Sequence, residues 1–289
     1  MQFKTEWCNL AFTFDCGQVF NVVKTGDWWY CLVGDLVFKM RQKGRIIEFE
    51  GTSESFVKHY LGLDVDLQAV MEGMCWDEPL KRAVECFAGL RIVRQNPWDC
   101  LVSFICATNK NIPGITLMLQ NLSKLGEQVE FDGKTFYALP TAKKITELTV
   151  PQLLNCGLGY RAKYLFNTAK AVLNGFNLEH LRRIPYEKAK QELYALPGVG
   201  PKVADCVLLF ALDKTEAFPI DVWMKKIIIN NYACYFSNEF LRQISAGKSL
   251  TPHEYDIISQ FARGHFGQYA GYAQEYLYYY ERQKHFHLL

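Results

Sequence analysis

The segment Leu196-Pro197-Gly198-Val199-Gly200-Pro201-Lys202 decides the fold of this 289-residue chain. It separates two stretches with the apolar spacing of helices, residues 187–195 and 202–212, so the chain must reverse its direction within a few residues. Glycine accepts a positive φ at no steric cost, and we expect both Gly198 and Gly200 to use that freedom. The segment therefore predicts two helices joined by a tight hairpin.

The backbone of this hairpin is a candidate phosphate site. We expect Gly198, Val199 and Gly200 to leave N–H groups uncovered at the start of the second helix, where unpaired amides and the positive end of the helix dipole favour an anion. A plain turn between helices explains the glycines equally well, because so short a motif often arises by chance. From the hairpin alone, a clamp for a DNA backbone and a simple turn both remain open.

Helical spacing continues on both sides of the hairpin. Apolar residues recur every three or four positions after Ser53, and Asn96-Pro97 is typical of an N-cap followed by proline at the first helical position. Beyond the helix that starts there, the predicted helices cover residues 115–125, 161–173, 187–195, 202–212, 222–231, 254–265 and 269–282. Most of the chain is therefore expected to form a helical body.

The first fifty residues have a different pattern. Aromatic and β-branched residues form three runs, 28–33, 36–40 and 46–49, separated by Gly34-Asp35 and Lys43-Gly44 turns. These runs predict an antiparallel meander. The predicted fold class is α+β, with an N-terminal antiparallel-sheet domain over residues 1–85 and an α-helical region over residues 86–289.

Composition restricts the class of protein. A hydrophobic content of 49% indicates a globular chain, and no run reaches the roughly 18 apolar residues of a membrane span. Met1 to Leu10 interleaves charged residues with apolar ones, unlike a signal peptide, so we expect an intracellular, soluble protein with no membrane partner. The formal charge of +2 is too small to indicate nucleic-acid binding by itself.

The ten cysteines do not form a metal-binding pattern. They lack Cys-x-x-Cys pairs, and Cys234 is the only one after Cys206, which argues against zinc or an iron–sulfur cluster. We expect reduced, mostly buried thiols and no metal or other cofactor.

Four ordered segments carry a family resemblance. Residues 196–206, followed by Pro219-Ile220-Asp221, resemble the helix-hairpin-helix motif and downstream aspartate of base-excision DNA glycosylases. Residues 96–112, 157–164 and 269–274 are similar, in the same order, to the 8-oxoguanine DNA glycosylase/lyase branch, and the similarity extends over residues 16–281. Four ordered motifs are far more specific than one. The resemblance implies a sheet domain like that of the TATA-binding protein, a glycosylase body, and 8-oxoguanine-containing duplex DNA as the partner of a monomer.

Lys202 and Asp221 are the predicted catalytic pair. Lys202 falls in the first turn of a helix, whose positive end disfavours an ammonium, and the resemblance makes this amine the nucleophile that forms a Schiff base. Asp221 precedes an apolar run and is predicted to be an N-cap, a role compatible with a fixed carboxylate that stabilises positive charge on the sugar. Without the resemblance, a lysine that contacts phosphate and a simple helix cap explain the two residues equally well or better.

The remaining site residues are assigned by resemblance. Gly17 would accept the N7 hydrogen that distinguishes 8-oxoguanine from guanine, Gln274 would bind the Watson–Crick edge, and Cys206 and Tyr278 would sandwich the purine. Without the family, Gly17 is an ordinary turn residue and the cysteine and tyrosine are core residues.

A second group of residues is expected to contact the DNA around the extruded base. By resemblance, Asn109, Tyr160 and Arg161 would fill the gap, wedge the stack or hold the opposite base, and Trp223 would contact phosphate. Tyr160 has simple packing after the Gly-Leu-Gly turn as its alternative role.

One departure from the family pattern predicts relaxed opposite-base preference. Better-known members place two arginines against the opposite cytosine; here one is retained as Arg161, but Gly114 stands in place of the other. Glycine cannot make the charge-assisted hydrogen bonds of a guanidinium.

Two alternative functions remain. One is a glycosylase for alkylated bases that uses water, against which Lys202 argues. The other is a non-catalytic helix-hairpin-helix module, which leaves Lys202, Asp221 and Gln274 without a joint purpose.

Overall fold

A computed structural model describes residues 1–74 and 77–286, and it confirms the predicted α+β fold class. Five antiparallel strands form one sheet in the spatial order β1-β5-β4-β3-β2, and a separate hairpin pairs β6 with β7. The strands are β1 (Gln2–Lys4), β2 (Val22–Thr25), β3 (Trp28–Val33), β4 (Leu36–Lys43), β5 (Ile46–Glu50), β6 (Gln128–Phe131) and β7 (Lys134–Tyr137).

The α-helices account for most of the rest of the described chain. They are α1 (Leu10–Asp15), α2 (Glu54–Tyr60), α3 (Leu67–Gly73), α4 (Glu78–Cys86), α5 (Pro97–Ala107), α6 (Ile112–Ser123), α7 (Ala142–Glu147), α8 (Val150–Asn155), α9 (Arg161–Leu173), α10 (Tyr186–Leu193), α11 (Pro201–Ala211), α12 (Val222–Asn231), α13 (Asn238–Ala246), α14 (Pro252–Phe266) and α15 (Ala270–His285). Helices α9 and α12 have the bounds expected from the sequence, and α11 begins and ends one residue earlier than predicted.

The N-terminal sheet buries one face against helices α1 and α2. Phe38, Met40 and Phe49 lie in this core with Phe14 of α1 and Tyr60 of α2, all nearly inaccessible to solvent. Alternation along β4 and β5 places these side chains on one face, as a half-buried antiparallel sheet requires.

The hairpin β6-β7 was not predicted within the helical region. Its turn contains Asp132-Gly133, a strong hairpin signal. Each strand has only four residues, and so short a hairpin is easy to overlook in a sequence. Asp132 accepts hydrogen bonds from the Tyr30 hydroxyl at 2.6 Å and the Lys39 ammonium at 2.8 Å. The hairpin therefore returns to the N-terminal sheet and joins it to the helical body.

Helix α11 lies at the centre of the largest hydrophobic core. Every residue from Val203 to Ala211 is buried, including the charged Asp205. The Asp205 carboxylate accepts hydrogen bonds from Tyr186 at 2.7 Å, Lys190 at 3.1 Å and Tyr255 at 2.7 Å. These partners satisfy a charge that would otherwise be costly to bury.

The cysteines of the described chain are unpaired and mostly buried. Of the cysteines in the described residues, seven are buried and all are free, while Cys75 lies outside these residues. None of the helices that the structure describes is long and apolar enough to span a membrane.

Candidate active site

A cavity of about 840 Å³ opens between the sheet-side loop at Gly17 and the helices of the body. Lys202, Asp221 and Tyr278 line it together with Gly17, as do the hairpin glycines Gly198 and Gly200 and the DNA-binding candidates Asn109 and Trp223. Its volume lies within the range of small-molecule sites, about 300–1,000 Å³. The fold thus brings most of the predicted site residues to one cavity.

Lys202 occupies the second position of helix α11, where the buried helix meets the cavity. Its ammonium lies 4.7 Å from the centroid of the Phe104 ring, and Cys206 follows one helical turn later. Burial raises the pKa of the Cys206 thiol to about 12, although Lys202 acts in the opposite direction. Cys206 is therefore a neutral, soft surface beside the amine rather than a competing nucleophile.

Asp221 is the N-cap of helix α12, as predicted. Its Oδ1 accepts the backbone N–H groups of Trp223 and Met224, both at 2.9 Å. Burial raises the pKa of Asp221, while those N–H donors and the charge of Lys202 favour the carboxylate. Capping thus fixes one oxygen of a carboxyl group that faces the cavity.

The hairpin differs from its predicted geometry at two positions. Gly198 has φ +83°, and an added Cβ would lie 2.7 Å from the Cβ of Tyr164. Gly200 has an ordinary φ of −97°, so the prediction of positive φ was wrong there. The Val199 N–H was expected to be free, but it donates to the Leu196 carbonyl at 3.1 Å, because the turn closes on itself and buries the valine.

Gly200 nevertheless lies beside open space. Nothing in the described structure lies within 4 Å of the position of a Cβ at this residue. The backbone N–H groups of Gly198 and Gly200 donate to no acceptor among the residues that the structure describes. Two of the three amides predicted to bind phosphate are therefore available to an external anion.

The turn at Cys16-Gly17-Gln18 forms the opposite wall of the cavity. Gly17 has φ +104°, a conformation that strains any other residue. The buried Gln18 side chain donates to the carbonyls of Thr13 at 2.9 Å and Arg91 at 2.7 Å and accepts the Val93 N–H at 2.8 Å. One amide therefore holds this turn to the segment that leads into the helical body.

The residues expected to hold a purine are only partly exposed to the cavity. Tyr278 lines it, whereas Cys206 and Gln274 are buried and are not among its described lining residues. Among the residues that the structure describes, the Gln274 Oε1 has no hydrogen-bond partner, a costly state for a buried amide. An unpaired acceptor at this position is suited to a ligand that donates a hydrogen bond.

Of the predicted DNA-wedge residues, Asn109 lines the cavity and Tyr160 contacts Asn109. Tyr160 is 52% exposed, and its hydroxyl accepts the Asn109 side-chain amide at 3.4 Å. Arg161 is buried and donates to the carbonyls of Thr108 and Leu158. Its guanidinium thus braces the start of α9 against the end of α5.

Trp223 lines the cavity and lies beside a histidine and a lysine. The Trp223 ring centroid is 4.8 Å from that of His285, and the Lys226 ammonium lies 5.0 Å from the Trp223 ring centroid. The tryptophan is therefore placed in the kind of basic surface that a phosphate requires.

Three residues near the site were not predicted. Tyr255 donates to Asp205 and accepts the Ile220 N–H at 3.1 Å, which links helix α11 to the loop before Asp221. Glu275 is buried against Cys16, and Arg282 lines the cavity beside Gly17. The spacing of 274, 278 and 282 is a helical i, i+4, i+8 pattern that places Arg282 on the site face.

The chain is similar to known proteins along almost its whole length. A family model described as 8-oxoguanine DNA glycosylase, N-terminal domain, matches residues 1–101. The N-glycosylase/DNA lyase OGG1 of Arabidopsis thaliana is 30% identical over 286 residues, covering 93% of this chain and 76% of the plant protein. The N-glycosylase/DNA lyase of Saccharomyces cerevisiae is 30% identical, covering 83% of this chain and 71% of the yeast protein.

The chain is also similar in structure to a solved glycosylase/lyase. The 8-oxoguanine glycosylase/lyase of Clostridium acetobutylicum, in complex with double-stranded DNA that contains cytosine opposite 8-oxoguanine, superposes with a TM-score of 0.86. It shares 32% sequence identity, and the match covers 99% of this chain and 98% of that chain. The likeness therefore includes both the sheet and the helical body.

The buried Glu275 predicts a pH dependence of stability. Burial raises its pKa from 4.5 to about 7, and Asp221 acts in the same direction, while Cys16, Arg282 and Lys202 oppose the rise. Between pH 4.5 and about 7, the folded protein keeps this carboxyl group protonated, whereas in the unfolded chain it is ionised. The contribution of Glu275 to stability is therefore fully present below pH 4.5 and falls as the pH rises to about 7.

We expect Glu275→Gln to become more stable than wild type as the pH rises. The difference in unfolding free energy should grow by roughly 3 kcal/mol between acidic and neutral pH, because the amide cannot ionise. Urea unfolding of both proteins at several pH values measures this difference. The titratable groups that both proteins share contribute equally and cancel from it. A difference that does not change with pH would contradict the prediction.

Proposed function

The chain belongs to the 8-oxoguanine DNA glycosylase family, and we propose from this premise that Lys202 and Asp221 carry out its chemistry. It is a bifunctional N-glycosylase/DNA lyase that excises 8-oxoguanine from duplex DNA. The glycosylase for alkylated bases and the non-catalytic module are not favoured. Its DNA substrate also supports an intracellular site of action, in the cytoplasm, nucleoid or nucleus.

Lys202 supplies the nucleophile. Its unprotonated Nζ attacks C1′ of the extruded nucleotide, the C1′–N9 bond breaks, and the base leaves with the bonding electrons and takes up a proton. The C1′–O4′ bond then breaks as a proton passes from nitrogen to O4′, which gives an open-chain protonated Schiff base that acidifies C2′. Removal of a C2′ proton then expels the 3′ phosphate. The observation that carries this proposal is the position of Lys202, at the point where a buried helix opens into the cavity.

Asp221 stabilises the sugar as its bond to the base breaks. Positive charge develops on the ring, and a carboxylate held in place by two N–H donors needs no reorganisation to oppose it. Its cap fixes Oδ1 to the start of α12. Tyr255 supports the same geometry by joining the Ile220 backbone to Asp205 on the nucleophile's helix.

The lesion is distinguished at two edges. The Gly17 carbonyl accepts the N7 hydrogen that 8-oxoguanine has and guanine lacks, and the unpaired Gln274 Oε1 accepts from the Watson–Crick edge. Tyr278 provides one stacking face and the neutral Cys206 side chain the other. Since Gln274 and Cys206 are buried in the DNA-free chain, the entering base must displace the residues that cover them.

A second group of residues, some of them in the cavity wall, holds the DNA around the extruded base. The free amides of Gly198 and Gly200, with the start of α11, bind backbone phosphate, while Val199 anchors the turn in the core. Trp223 contributes from the cavity wall. The exposed Tyr160 and Asn109 enter the space from which the base is extruded.

Borohydride trapping tests the proposed chemistry. Wild type should form a covalent adduct with an 8-oxoguanine duplex, and Lys202→Gln should abolish the adduct and slow base release by at least about a thousandfold. Lys248→Gln, which removes another amine of the cavity, should still give the adduct. Base release by wild type without an adduct would instead support a water-using glycosylase, and binding without any reaction would support the non-catalytic module.

The two hairpin glycines are expected to respond differently to alanine. Gly198→Ala should lower the unfolding free energy by about 1–3 kcal/mol, because it combines positive φ with a clash against Tyr164. Gly200→Ala should change stability by less than about 0.5 kcal/mol but weaken duplex binding about fivefold, since its methyl group occupies the path of the phosphate. Denaturation and fluorescence anisotropy measure the two effects. Unchanged DNA binding by Gly200→Ala would refute the phosphate contact.

The opposite base is read weakly. Gly114 offers no guanidinium, and that of Arg161 is engaged with the carbonyls of Thr108 and Leu158. We therefore expect a preference for C over A, G and T below about a hundredfold, or about 2.7 kcal/mol. Single-turnover excision with each opposite base measures it, and Gly114→Arg should raise the preference for C. A larger preference in wild type would contradict this expectation.

A further inference from the structure

Arg282 binds the turn that contains Gly17, the residue whose carbonyl is proposed to recognise the lesion. It lies on α15 one helical turn after Tyr278, and its Nη1 donates to the Cys16 carbonyl at 2.7 Å. Its Nη2 donates to the preceding carbonyl, that of Asp15. Two consecutive peptide groups before Gly17 are therefore fixed by one guanidinium.

The same guanidinium also lies against Gly17 itself. A Cβ added to Gly17 would come within 2.7 Å of the Arg282 Nη1 and 3.7 Å of the Tyr278 ring. The Arg282 cation lies 5.8 Å from the centroid of the Tyr278 ring and 5.3 Å from that of Tyr279. The arginine is thus held by two aromatic rings at the edge of the cavity where the Gly17 backbone is exposed.

The chain after Gly17 is fixed by a separate set of contacts. In addition to its side-chain hydrogen bonds, Gln18 accepts the Gln95 side-chain amide on its carbonyl at 2.6 Å. Gly17 is the flexible residue between two rigid neighbours, and the absence of a Cβ gives its backbone wide freedom to rotate. Arg282 on one side and Gln18 on the other remove that freedom.

We infer that Arg282 is a positioning residue for lesion discrimination, because it fixes the direction of the Gly17 carbonyl towards the N7 hydrogen of 8-oxoguanine. This inference rests on the proposed function of the site. Guanine and 8-oxoguanine differ here by a single hydrogen bond, and such a bond discriminates only when its acceptor is held to within about half an ångström. Loss of the guanidinium should therefore affect the recognition of the base more than the chemistry at the sugar.

The test separates these two steps. Arg282→Met keeps much of the side-chain volume but removes the donors, and Arg282→Lys keeps a charged donor. We expect Arg282→Met to slow single-turnover excision of 8-oxoguanine at least tenfold, while strand cleavage at a preformed abasic site, which needs no base recognition, changes less than twofold. Arg282→Lys should recover part of the lost excision rate. Lys284→Met, an exposed position on the same helix, is the matched control and should change neither rate.

A binding measurement gives an independent readout. In a Lys202→Gln background, the ratio of affinities for 8-oxoguanine and guanine duplexes should fall at least fivefold on adding Arg282→Met. Equal losses of base excision and abasic-site cleavage, or an unchanged affinity ratio, would overturn the inference and leave Arg282 with a structural role. Wild type inactive on 8-oxoguanine would instead overturn the proposed function, so the two failures are distinguishable.

Discussion

Helix α11 has no polar face beyond its first turn, and this constraint organises the body around it. A helix that is apolar all round must be covered on every side, which places its axis in the core and leaves its N-terminal end as the place where it can meet solvent. Lys202 lies at that end. The single buried charge of the helix, Asp205, is satisfied by Lys190, Tyr186 and Tyr255, and Tyr255 extends the same network to the Ile220 backbone beside Asp221. The core therefore also fixes the relation between the proposed nucleophile and the proposed carboxylate.

The sequence predicted the parts of this arrangement that depend on local rules. Asn96 and Asp221 cap their helices because short polar side chains accept N–H groups of the first turn, and both act as expected. Apolar spacing predicted helices α9 and α12 at their observed bounds. The start of α12 has a clear end signal in Asp221, which does not require knowledge of the tertiary structure.

Features that depend on tertiary contacts could not be predicted from pattern alone. Whether a guanidinium remains free or binds nearby carbonyls depends on how closely two helix ends approach each other. Here the start of α9 lies close enough to the end of α5 for Arg161 to donate to the Thr108 carbonyl. Gly200 was expected to relieve backbone strain, but its φ is ordinary and its lack of a side chain leaves space instead. Arg282 has the helical spacing of the site face, yet only its contact with the turn at Gly17, more than 260 residues away, suggests a purpose.

The central claim is that the amine of Lys202 becomes covalently attached to the sugar. Peptide mapping by mass spectrometry of the borohydride-reduced complex with an 8-oxoguanine duplex tests it directly. The account predicts that the added sugar–phosphate mass is carried by the peptide that contains Lys202. Attachment to Lys110, Lys225 or Lys248, the other lysines that line the cavity within the described residues, would contradict it, as would active base release that leaves every peptide unmodified.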